Sequence, residues 1–172
     1  MAAPERFAKY LIENPYHPRS NKHSNALAEF FLDDLLDRCP QFRQEVHAGR
    51  ICYELNRKVI VGTSDWNVDL VVGPPPGSGQ SVQCQKMLRA QPSNFRLTLE
   101  AKSIMTEHRK AQRNRQRDLD AYHQFLHRYD QNTIVAAVTV VNIAGSFSVS
   151  AEAETHQACQ SAQPRAECSR AA

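Results

Sequence analysis

The chain has no long hydrophobic run. The longest, Ile134–Val141, is far too short to cross a bilayer as a helix, so no membrane partner is expected. The opening, MAAPERFAKYLIENPYHPRS, lacks the basic, apolar and small-residue order of a secretory leader. The five cysteines, Cys39, Cys52, Cys84, Cys159 and Cys168, are an odd set without a CxxC pair. That argues against a secreted disulfide framework and against a zinc knuckle, and makes a reduced cytoplasmic protein the expectation. Tryptophan occurs once, at Trp66, where it is expected in the core or as an anchor at its rim. No internal repeat is visible. Excess charge is also scarce: a net +3 and a pI near 8.7 name no partner by themselves.

At 172 residues, 41% hydrophobic and 23% charged, the chain suits one globular domain whose core needs neither disulfides nor a structural metal. The composition changes near Gly145. Residues 1–145 are expected to form the domain. Residues 146–172, rich in Ala, Ser, Gln and Glu, are expected to be a disordered tail. So abrupt a change is what a truncation or a shifted reading frame would leave.

Pro15 and Pro18 break any helix begun near Phe7–Ile12. Ser24 suits the N-cap of a helix to about Cys39, with Leu27, Phe30, Phe31 and Leu35 at helical spacing and Pro40 ending it. Strands are expected over Val46–Leu55, with a bend at Gly49, then over Lys58–Gly62 and Trp66–Val72. GPPPGSGQS, residues 73–81, reads as a loop. Phe95–Ile104 alternates, with Phe95, Leu97, Leu99 and Ala101 on one face and Arg96, Thr98, Glu100 and Lys102 on the other. A long helix over Thr106–Tyr129 follows, basic in its first half and apolar-striped in its second. Thr133–Ile143, β-branched and apolar, reads as a strand buried on both faces. The order of helix, strands, helix and strand predicts an α/β fold, a mixed β-sheet flanked by helices.

Two features could carry chemistry. Asp69 lies inside the apolar run Val68-Asp69-Leu70-Val71-Val72, where a lone charge is costly. Glu100 and Lys102, two apart on a strand, leave the same face. Were the two strands neighbours, two carboxylates and an ammonium would converge, a donor set that suits Mg²⁺. The plainer alternative makes Glu100 and Lys102 an exposed cross-strand salt bridge. The second feature is the basic run Glu107–Arg117, which carries a net +4 while the rest of the chain carries −1. Arg109, Lys110, Arg113, Arg115 and Arg117 could grip phosphates, or simply solvate a helix face.

Three other signals are set aside. The 73–81 loop has Gln80 where a phosphate loop needs lysine, and its prolines lack N–H groups. His123 and His127 have zinc-ligand spacing, but HQFLH lacks the glutamate of HExxH. No heptads follow the basic run, which excludes a leucine zipper.

Over residues 24–143 the chain resembles the PD-(D/E)XK, or restriction-endonuclease-like, nuclease superfamily, on Asp69 and then Glu100-x-Lys102 in this order of elements. Val68 stands where the pattern has proline. The resemblance implies a restriction-endonuclease-like core and a Mg²⁺-dependent endonuclease, with Mn²⁺ a substitute, that hydrolyses DNA in restriction or repair. It implies Asp69, Glu100 and the Ala101 backbone carbonyl as metal ligands and Lys102 acting on water. Many members add an acid from the first helix, for which Glu29 is the candidate. Asp34 shares a face with Leu27 and Phe30. The rival expectations are a nucleic-acid-binding protein without chemistry on the same fold, and an RNA-directed nuclease. A homodimer is compatible with the sequence but not required by it.

Overall fold

The computed structural model describes residues 1–17, 20–77, 86–105 and 108–143. The expected tail from 146, loop residues 78–81, and Thr106 and Glu107 at the expected start of the long helix lie outside these.

Helix α1, Ala3–Glu13, stops before Pro15, since a residue preceding proline avoids helical backbone. It is tied to helix α2, Lys22–Arg38, by one arginine: Arg6 reaches Asp33 at 2.8 Å, Asp34 at 2.9 Å and the Phe30 carbonyl at 2.8 Å. Ser24 is not the N-cap of α2. Asn21 holds that position, and the Ser24 hydroxyl, one turn in, donates to the Asn21 carbonyl at 3.2 Å.

Pro40 does two jobs. It closes α2 and, as the first residue of helix α3, Pro40–His47, opens the next element, where its missing N–H costs nothing. The expected strand from Val46 is therefore wrong in its first half, because Val46 is helical and 1% exposed in the core. The bend at Gly49 is real but is a helix stop. Gly49 has φ +66°, its N–H reaches the Val46 carbonyl, and the Arg50 N–H reaches Glu45, a Schellman closure.

The two strands expected on either side of residue 56 are one strand, β1 (Cys52–Val61), in a hairpin with β2 (Ser64–Gly73). Strand β3 is the short Leu88–Arg89, β4 is Leu97–Ile104 and β5 is Ile134–Val141. Helix α4, His108–Tyr129, crosses from β4 to β5. The sheet order is β3-β1-β2-β4-β5, with β1–β2 and β2–β4 antiparallel, and β1–β3 and β4–β5 parallel. The protein is thus mixed α/β, with a curled five-stranded mixed sheet and four helices among the described residues.

Each face of the sheet carries its own core. Ala28 and Leu32 of α2 and Val46 of α3 pack with Leu55, Leu70, Val72 and Leu99. Tyr122, Phe125 and Leu126 of α4 pack with Val59, Val68, Val71 and Phe95. Each large side chain so buried stabilises the fold by about 1.5–3 kcal/mol.

Strict alternation fails in the middle of the hairpin. Leu55 and Val59 have the same parity yet belong to opposite cores, as do Val68 and Leu70. The switch falls at Asn56, which has φ +55° and no paired residue, and at Asp69, which would be its partner. Asparagine tolerates this left-handed conformation better than most residues. Phe95 likewise joins the α4 core, away from Leu97 and Leu99, which lie on the α2 side.

The strand expected to be buried on both faces is instead an edge. Among the described residues strand β5 pairs only with β4, and Ile134 remains 66% exposed. The helices cover the middle of the sheet and leave this outer strand half open. Among the described residues no helix is long and apolar enough to cross a membrane.

Candidate active site

The pairing of β2 with β4 runs from Val72 opposite Leu97 to Leu70 opposite Leu99, and stops there. One residue further on, the Asp69 side chain takes over. Its Oδ2 accepts the backbone N–H of Ala101 at 2.8 Å. This places Asp69 beside the Glu100–Lys102 strand without a regular ladder between them. The resulting cleft, of about 310 Å³, is walled by Asn67, Asp69, Glu100, Lys102 and Ser103 of the sheet, by Ser24 and Leu27 of α2, and by Arg115 of α4.

Glu100 is only 3% exposed and lies beside Tyr122 and Trp66 on the α4 side. Lys102 Nζ contacts Glu100 Oε1 at 2.5 Å, with the lysine side chain 20% exposed. The salt bridge offered as the plainer reading therefore exists, but within one strand and in a buried site. Among the described residues Glu100 Oε2 is buried with no hydrogen-bond partner.

Burial raises both acids. Desolvation pushes Glu100 up to about 7, helped by the nearby Asp69 charge and opposed by Lys102 and, more weakly, by the Trp66 indole. Asp69 is also raised by desolvation, against the Ala101 N–H, the Lys102 charge and the Ser24 hydroxyl. One lysine thus serves two crowded carboxylates, and one carboxylate oxygen goes unmet. A small divalent cation would supply the missing charge and take that oxygen. Two carboxylates and a carbonyl suit Mg²⁺, which keeps several waters. Among the described residues no cluster of three or more His, Cys, Asp or Glu side chains could hold a metal, so any ion here rests on the Asp69–Glu100 pair.

Glu29 does not join them. It is exposed on α2, near Tyr53, while His23, Ser24 and Leu27 are the α2 side chains at the cleft. Asp34 is occupied elsewhere, accepting the Ala3 N–H and Arg6. Asp65 is exposed and paired with Lys58 at 2.8 Å.

The five basic residues divide. Arg109, Lys110, Arg113 and Arg117 are exposed and line one shallow recess with Asn114. Arg115 is turned the other way: its Nε donates to the Ser103 carbonyl at 3.2 Å and one terminal nitrogen to Asp118 at 3.0 Å. It belongs to the cleft wall. Helical spacing separates it, since positions 109, 113 and 117 share a face that 115 does not. Tyr16 also lines the cleft, its hydroxyl 2.6 Å from that of Ser103, and neither residue carries a sequence signal. The His123 and His127 rings lie 4.1 Å apart on α4, tilted by 53°, and His127 Nε2 meets the Thr133 carbonyl at 3.3 Å.

In comparisons with known proteins, no family model, curated protein or solved structure matches the chain.

Proposed function

We propose that the chain is a Mg²⁺-dependent endonuclease of the restriction-endonuclease-like, PD-(D/E)XK type, acting on DNA. The observation that carries this reading is the meeting of Asp69 and Glu100, from two strands, in a cleft also lined by Lys102 and Arg115. Asp69, Glu100 and the Ala101 carbonyl would hold the ion. When bound, Mg²⁺ supplies positive charge for a phosphate in the transition state and makes a bound water more acidic. Lys102 donates hydrogen bonds to the attacking water and orients it toward phosphorus. The Arg115 guanidinium, steadied by Ser103 and Asp118, offers its remaining N–H groups to a phosphate oxygen. The exposed Arg109, Lys110, Arg113 and Arg117 follow the nucleic-acid backbone outside the cleft.

Incubation of supercoiled plasmid with the protein tests this. Nicking or linearisation is expected with Mg²⁺ or Mn²⁺, with Ca²⁺ supporting binding but little cutting. Cleavage undiminished in EDTA contradicts the reading, and hydrolysis of RNA but not DNA transfers it to RNA.

A further inference from the structure

Trp66 lies on β2 opposite Val59, three residues before Asp69. Its ring packs on Tyr122 and Phe125 of α4, with centroids 5.7 and 6.1 Å apart. The Lys102 ammonium sits 5.7 Å from the Trp66 ring centroid, while the same ammonium contacts Glu100 at 2.5 Å. A flexible lysine thereby contacts both the Glu100 carboxylate and the Trp66 indole.

We propose that Trp66 is the positioning residue of this site, its indole face fixing the Lys102 ammonium against Glu100 and toward the cleft. Resting on the nuclease reading, this adds a residue that touches neither metal nor substrate. An ammonium over indole is attracted by the negative face of the ring, and tryptophan is the strongest aromatic partner for it. Lysine loses several rotors when held, so an unsupported Lys102 would spread over many rotamers. Tyr122 and Phe125 stop the indole itself from turning away.

The first test reads the metal-free protein by NMR. The ε-methylene protons of Lys102, assigned by their loss in Lys102→Met, are expected upfield of the other lysines because of the indole ring current. The shift should largely persist in Trp66→Phe and vanish in Trp66→Leu. Lys102 ε-protons at ordinary lysine positions in the wild type overturn the proposal, even if Trp66→Leu fails to fold. The second test reads cleavage. Trp66→Leu should lower kcat about fivefold to tenfold with KM for plasmid nearly unchanged, and Trp66→Phe should recover most of the loss. A KM effect alone, or equal loss in Phe and Leu variants, contradicts positioning. If the wild type does not cut DNA at all, the nuclease reading fails while the ring-current result still decides the role of Trp66.

Discussion

The Asp69 carboxylate accepts the Ala101 backbone N–H at 2.8 Å, so an acid on one strand closes a gap left by the adjoining strand's ladder. The same contact fixes Asp69 next to the residue pair that flanks Ala101. The surroundings that build the sheet desolvate both carboxylates, Glu100 being buried and Asp69 half-buried.

That desolvation has a consequence for stability. Glu100 has an ordinary pKa of 4.5 and sits at about 7 in the folded protein. Between those values the folded state holds a proton that the unfolded state has lost, so stability falls as pH rises. The full loss is on the order of 3 kcal/mol, complete above about pH 7. Asp69, raised in the same direction, adds to it. Denaturant unfolding of the metal-free protein between pH 5 and pH 8 should show this slope, and Glu100→Gln should remove most of it. Millimolar Mg²⁺ should restore stability at pH 8 in the wild type and not in the variant. A flat profile would mean that the two acids are not buried together.

The divided basic residues should behave differently on mutation. Arg113→Ala with Arg117→Ala should weaken binding to all sequences and reduce the salt slope by about 2, close to one per phosphate contact. Arg115→Ala should leave that slope nearly intact and lower the cleavage rate about tenfold or more, as expected for a charged hydrogen bond. Filter binding across a salt series, beside cleavage rates, checks both. Equal effects from both sets would place Arg115 on the outer face.

Glu29→Ala should change neither Ca²⁺ affinity nor cleavage, because Glu29 lies outside the cleft. Calorimetric titration with Ca²⁺ checks this, and a large loss of affinity would return the acid of α2 to the site.

Much of this was legible in the sequence. The alternation through Glu100 and Lys102 and the two-natured helix α4 each follow a simple period, and the apolar run around Asp69 is a strand as expected although its alternation breaks at Asp69. The misreadings share a cause, tertiary context overriding a local signal. Val46 belongs to a helix because Pro40 restarts one immediately. The two halves of β1 are one strand because Asn56 takes a left-handed conformation inside it, which no alternation rule anticipates. Strand β5 has the composition of a central strand and the position of an edge. The three candidate site residues were singled out in the sequence and line one cleft, whose walls were not legible. Arg115 was one of five similar arginines and lysines, and Tyr16 and Ser103 have no pattern at all. Trp66 was visible only as a lone aromatic.

The central claim is that Asp69, and not the nearby Asp65, is the acid of a metal-dependent nuclease. Asp65 is exposed and satisfied by Lys58, whereas Asp69 is desolvated beside Glu100. The most direct measurement is therefore Mg²⁺-dependent plasmid cleavage by Asp69→Asn and Asp65→Asn side by side, with folding and DNA binding checked for each. Asp69→Asn should keep its fold and most binding yet lose more than the roughly 100-fold that an outer-shell change costs a metal site, while Asp65→Asn cuts nearly as the wild type does. Near-normal cleavage by Asp69→Asn in a preparation whose wild type cuts would contradict the account.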